Sequence, residues 1–170
     1  IAVLEGNDGV ERIQERSLGA DAVYLLGGSD LRARTELASY WRTYDRKRAR
    51  KKLKLRALYD RSASKELLDR ENKLPETQAK YLPFGMASPA WFEMFGDQLA
   101  IGIPGADPLV FSIRSPEAAA SMKQYFEFLW NQKIRLERGV AAMERAFYDM
   151  IEELSPGEQY LVLGASTGWW

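Results

Sequence analysis

The chain has neither cysteine nor histidine in its 170 residues. Without thiols there is no disulfide framework and no thiolate nucleophile or metal ligand. Without imidazole there is no histidine triad, no histidine general base and no histidine metal site. An excess of one charge is lacking too: 24 basic and 24 acidic residues balance to a formal net charge of +0. The molecule as a whole therefore offers no field to attract nucleic acid or acidic membranes, and only local patches could do so. No apolar run reaches the roughly 18 residues that a membrane helix needs, and no secretory signal opens the chain. These absences lead us to expect a cytoplasmic protein that does not touch the membrane. At 46% hydrophobic residues, the chain can bury a core.

Helical and strand periods alternate along it. Residues 9–19, "GVERIQERSLG", read as a short helix, and 22–28, "AVYLLGG", as a buried strand running into a glycine turn. Asp30 can cap a following helix that carries Leu31, Leu37, Tyr40, Trp41 and Tyr44 at helical spacing. "LKLRALYD" alternates as a strand does, "SASKELLDREN" reads as a short helix and "AKYLPFG" as a strand and turn. "SPAWFEMFGDQLAIG" (88–102) reads as a hairpin turning at Gly96-Asp97, and "DPLVFSIRS" as one more strand. Pro116 opens an amphipathic helix with Met122, Tyr125, Phe126, Leu129 and Trp130 as its stripe. This order is α/β.

"GVERIQERSLGADAVYLLGGS" (9–29) is echoed by "GVAAMERAFYDMIEELSPGEQYLVLGAS" (139–166), which suggests an internal repeat cut off just after it starts. We accordingly expect one domain over 1–132 and a helix–strand extension over 133–170. The first residue, Ile1, and the closing "GASTGWW" read as the ends of a fragment of a longer protein.

The blocks "LEGNDGVERI", "VYLLGGS", "KLKLRALYD", "AKYLP" and "FEMFGDQLAIGIPGADPLVFSIRSPEAAASMKQYFEFLW" cover roughly residues 3 to 132. In their order and spacing the chain resembles the phospholipase D-like C-terminal domain of TrmB-type transcriptional regulators. That resemblance implies a phospholipase D-like sheet flanked by helices, joined in the full regulator to a winged helix that binds DNA. This chain lacks the winged helix, so DNA contact would come only through that missing module. In the enzymatic branch of the fold, a His-x-Lys-x-x-x-x-Asp motif supplies the nucleophile. Counting back from Asp97 puts the His position on Ala90 and the Lys position on Phe92, and "PGAD" (104–107) departs from the enzymes' Gly-Ser-x-Asn. Neither Ala nor Phe can attack a phosphodiester or stabilise its charge. From this we expect no catalytic residue, no metal, no cofactor and no enzyme.

Candidate ligand contacts fall at the ends of strands, where open α/β sheets bind: Gly28, Ser29 and Asp30 after the first strand, Asp60 with Arg61 and Ser62 after the next, and Asp107 in "PGAD". Alternation along 88–94 puts Ser88, Ala90, Phe92 and Met94 on the former active-site side, as a pocket wall or as filled core. Trp91 and Glu93 then point the other way, toward solvent or a partner. The densest basic tract, "RTYDRKRARKKLKLR" (42–56), nominates Arg48, Lys51 and Lys52 as a nucleic-acid patch, or else as a solvated helix end. The aromatic excess on the helix after Pro116 predicts an exposed Phe128 and a homodimer seam. The expected function is ligand sensing, with a sugar as the example effector, and dimerisation in a TrmB-like regulator. The alternatives are a purely structural dimerisation module or a residual phosphodiesterase or nuclease.

Overall fold

The computed structural model describes residues 1–83, 90–132 and 140–159. The chain divides into two compact units, 1–134 and 135–170.

The first unit is built on one mixed seven-stranded sheet in the order β1-β7-β6-β5-β2-β3-β4. Its strands are β1 (Ala2–Glu5), β2 (Ala22–Leu26), β3 (Lys54–Tyr59), β4 (Thr77–Tyr81), β5 (Trp91–Phe95), β6 (Gln98–Ile103) and β7 (Leu109–Arg114). The helices are α1 (Gly6–Ser17), α2 (Ser29–Ala33), α3 (Ala38–Arg50), α4 (Lys65–Asn72) and α5 (Pro116–Trp130). β2, β3 and β4 run parallel, while β5, β6, β7 and β1 extend the sheet antiparallel from the other side of β2. The expected α/β architecture, a sheet flanked by helices, is the one observed.

Both faces of the sheet are covered, which explains the long apolar runs in its strands. On one face Val10 and Ile13 of α1, Trp41 and Tyr44 of α3, and Leu67 and Leu68 of α4 pack on Val23, Leu25, Leu55, Ala57 and Tyr59. On the other, Phe126 and Trp130 of α5 pack on Leu58, Met94 and Leu99, with Phe92 half-buried beside them. The expectation that Trp91 and Glu93 face solvent or a partner is corrected, because both faces of the sheet are covered. Each is only 1% exposed, on the face covered by α1 and α3. Alternation sorts residues between two faces but does not say that one of them is wet.

Local chemistry fixes the helix starts. Ser64 caps α4 by accepting from the Leu67 amide at 3.1 Å, and Ser115 caps α5 by accepting from the Ala118 amide at 3.2 Å, with Pro116 in the first turn. The helix expected after Asp30 is two helices, α2 and α3. The cap of α2 is Gly28, in the left-handed region at φ +80°, and no side chain bonds to that end.

The second unit contributes α6 (Val140–Glu153). The strand expected after it lies outside the described residues.

Candidate functional site

β2 and β3 end level with one another, since Leu26 pairs with Leu58. β5 runs antiparallel to β2 with Phe92 opposite Leu26, so it starts at that same end. The sheet thus brings the loops after β2 and β3 and the start of β5 to one edge. Two glycines make the turn after β2: Gly27 and Gly28 both have positive φ, +81° and +80°. A side chain at Gly27 would also lie 2.9 Å from the Ala90 carbonyl oxygen, so only glycine fits.

This edge joins the first two sequence-predicted clusters. The Ser29 hydroxyl lies 3.3 Å from that of Ser62. Ser62 donates to Asp60 Oδ1 through its amide, at 2.8 Å, and through its hydroxyl. Ser29 and Asp60 are buried, and Ser62 and Arg61 form the exposed rim. Neither Ser29 nor Ser62 caps a helix, because Gly28 and Ser64 hold those positions. The third cluster is tied in through Arg34, which donates to the Gly105 carbonyl, and Asp107 is an exposed member of that loop. Arg61 stacks its guanidinium 4.9 Å from the Tyr81 ring centre. The edge therefore carries hydroxyls, a carboxylate acceptor and guanidinium donors.

Other candidates stand differently. Ser88 lies outside the described residues, and the Asp30 side chain is likewise not described. Of the two readings given for Phe92, pocket wall or filled core, the structure has it half-buried against the second apolar cluster. Arg48 is corrected more sharply. It is 0% exposed, and its guanidinium donates to the carbonyls of Leu53 at 3.0 Å and Pro75 at 3.1 Å and to the Thr77 hydroxyl. A cation enclosed this way stitches α3 to the strand starts and is not available to phosphates. Lys51 donates to the Leu18 carbonyl at 2.9 Å, and Lys52 is exposed at a turn with φ +53°.

Asp97 occupies the opposite edge of the sheet, in the β5–β6 turn, where it accepts from Arg114 Nε at 2.7 Å. That hydrogen bond holds its carboxyl below the usual range. It stands one strand length away from Ser29 and Asp60.

Sequence reasoning missed the buried polar layer beneath the site. Arg32, in α2, donates to both Glu71 oxygens at 2.8 Å and to Asp45 at 3.0 Å, and stacks 4.6 Å from the Trp41 ring centre. Glu93 accepts from Gln14 Nε2, and burial raises its carboxyl to about 7 against the opposing effects of the Gln14 hydrogen bond and the Arg32 charge. Also missed was a set of cations on aromatic rings below α5: Arg56 and Lys80 at 4.1 and 4.3 Å from the Trp130 ring centre, and Lys123 at 4.5 Å from that of Tyr24.

Among the described residues no three acidic side chains converge to hold a metal ion, and no helix is long and apolar enough to cross a membrane.

No protein-family model and no curated protein matches the sequence. Among solved structures the chain is similar to NucT from Helicobacter pylori, with TM-score 0.49 and 14% identity over 79% of this chain and 98% of that one. It is also similar to polyphosphate kinase from Porphyromonas gingivalis, with TM-score 0.48 and 10% identity over 89% of this chain but only 28% of that one. What is shared is the fold and no more. The expectation that the chain is no enzyme is withdrawn, and the shared fold assigns no activity in its place.

Proposed function

We propose that the 1–134 unit binds a small hydroxyl-rich molecule, with a sugar as the leading class, at the edge where β2 and β3 end. We further infer that it does so as the sensor of a TrmB-like regulator, acting in the cytoplasm on an attached winged-helix module. The observation that carries the reading is the meeting of Ser29, Ser62 and the buried Asp60. A carboxylate acceptor beside two hydroxyls suits vicinal ligand hydroxyls, and Arg61 and Arg34 supply donors at the rim.

The same loop supports a route to regulation. Gly28 and Ser29 belong to the site, and Arg32, one turn on, is locked into the core by Glu71 and Asp45. A ligand that prefers one position of α2 shifts the population toward it by its difference in affinity for the two positions. Tyr125 and Phe128, at i and i+3 on α5, are 66% and 63% exposed, and they are the seam through which a second copy would pair.

The test is a thermal-shift screen with maltose, trehalose and other sugars. We expect a concentration-dependent rise in Tm that Ser62→Ala abolishes; a ligand at 100 times its Kd adds about 2.7 kcal/mol. Silence from every sugar, together with a stable dimer in sedimentation, would replace this reading with a structural dimerisation module.

A further inference from the structure

Two fully buried polar atoms face one gap in the core without a hydrogen-bond partner among the described residues: the Tyr59 hydroxyl and Glu93 Oε1. Both residues line a cavity of about 20 Å³, together with Gln14, Gly28, Arg32 and Tyr44. The register puts both residues on one face of the sheet, on the two strands that flank β2. Leu26 pairs with both Leu58 and Phe92, so the next row across the strands is Tyr59, Gly27, Trp91. Two rows further in, Glu93 stands beside Leu25.

Leaving either atom unsatisfied in the core is destabilising. A polar cavity needs at least about 10–15 Å³ to hold one water. This volume is enough for one and too small for a ligand of several atoms. We propose that this gap is a built hydration site: one water bridges the Tyr59 hydroxyl and Glu93 Oε1, completing a buried network that joins the sheet to α1 and α2.

The groups that face it are fixed from every side. Gln14 of α1 holds the other Glu93 oxygen. Arg32 of α2 contributes a positive charge already matched by Glu71 of α4 and Asp45 of α3. The Tyr44 hydroxyl, also from α3, is engaged with Ser17 at 2.8 Å. Among the described residues that line the gap, the Tyr59 hydroxyl and Glu93 Oε1 are the buried side-chain atoms without a partner. The water can accept from Tyr59 and donate to Glu93, or accept from a protonated Glu93 and donate to Tyr59. Burial supports the protonated carboxyl up to about pH 7.

The inference does not depend on the sugar-binding reading, and its test uses no sugar. A high-resolution crystal structure of the full chain should show one ordered water about 2.7–3.2 Å from both atoms. The unfolding constants of Tyr59→Phe, Glu93→Gln and the double variant form a cycle. Although the two side chains do not touch, we expect the double variant to depart at least about fivefold from the product of the single effects. A dry cavity, or a direct Tyr59–Glu93 hydrogen bond, would overturn the proposal. So would single effects that simply multiply.

Discussion

Replacing Glu93 by Gln should make the protein more stable at alkaline pH and leave it little changed in acid. Glu93 is 1% exposed, and burial lifts its carboxyl from 4.5 to about 7. Between those values the folded state keeps a proton that the unfolded chain has released. Stability therefore falls as pH rises through that window, and the penalty is complete above it. At about 1.4 kcal/mol per pH unit, the span corresponds to about 3 kcal/mol at pH 8. Gln keeps the shape and an oxygen for the Gln14 donor but carries no charge at any pH. Urea denaturation of both proteins at pH 5 and pH 8 isolates the effect, because other titrating groups cancel in the comparison. The variant's advantage should grow by about 3 kcal/mol between the two pH values, on the order of 10 °C in Tm for a domain of this size. If wild type and variant keep the same stability difference at both pH values, Glu93 is not a buried, proton-holding carboxyl and the reasoning fails.

Three other substitutions probe separate parts of the account. A methyl at Gly102 would lie 1.9 Å from the Trp91 ring, so Gly102→Ala should destabilise by about 1–3 kcal/mol in urea melts, with Trp91→Phe restoring part of the loss. Arg48→Ala strands buried carbonyls and should cost on the order of 3 kcal/mol, whereas reversing the charges of Lys51 and Lys52 should leave retention on a nucleic-acid column unchanged. Asp97→Ala removes an exposed pair with Arg114 and a 3.3 Å hydrogen bond from Gln98, so Tm should move only slightly and any ligand response should stay the same.

Much of the fold is legible because its elements carry their own local signals. The stripe on α5 follows the helical period, and Gly96-Asp97 turns one apolar strand into the next. β1 escapes notice because four residues at a sheet edge, mostly exposed, carry almost no pattern. Arg48 is misread because a run of cations is a compositional signal, although Trp41, Tyr44 and Arg48 fall at helical spacing on one buried face. That spacing was the available clue. The polar layer had no such clue. Gln14 and Glu93 are 79 residues apart, and Arg32 and Glu71 are 39 apart, so only the assembled sheet and its helices reveal their pairing. The edge holding Ser29 and Ser62 was foreseen from the rule that strand ends bind ligands. Its bond to Asp60 had to come from the structure.

Calorimetric titration of maltose and trehalose into the wild-type chain and into Asp60→Asn and Ser62→Ala tests the central claim most directly. The account predicts saturable binding of one sugar per chain, weakened tenfold or more in both variants while their circular dichroism stays the same. No saturable heat with any sugar, or equal affinity in the variants, would contradict it.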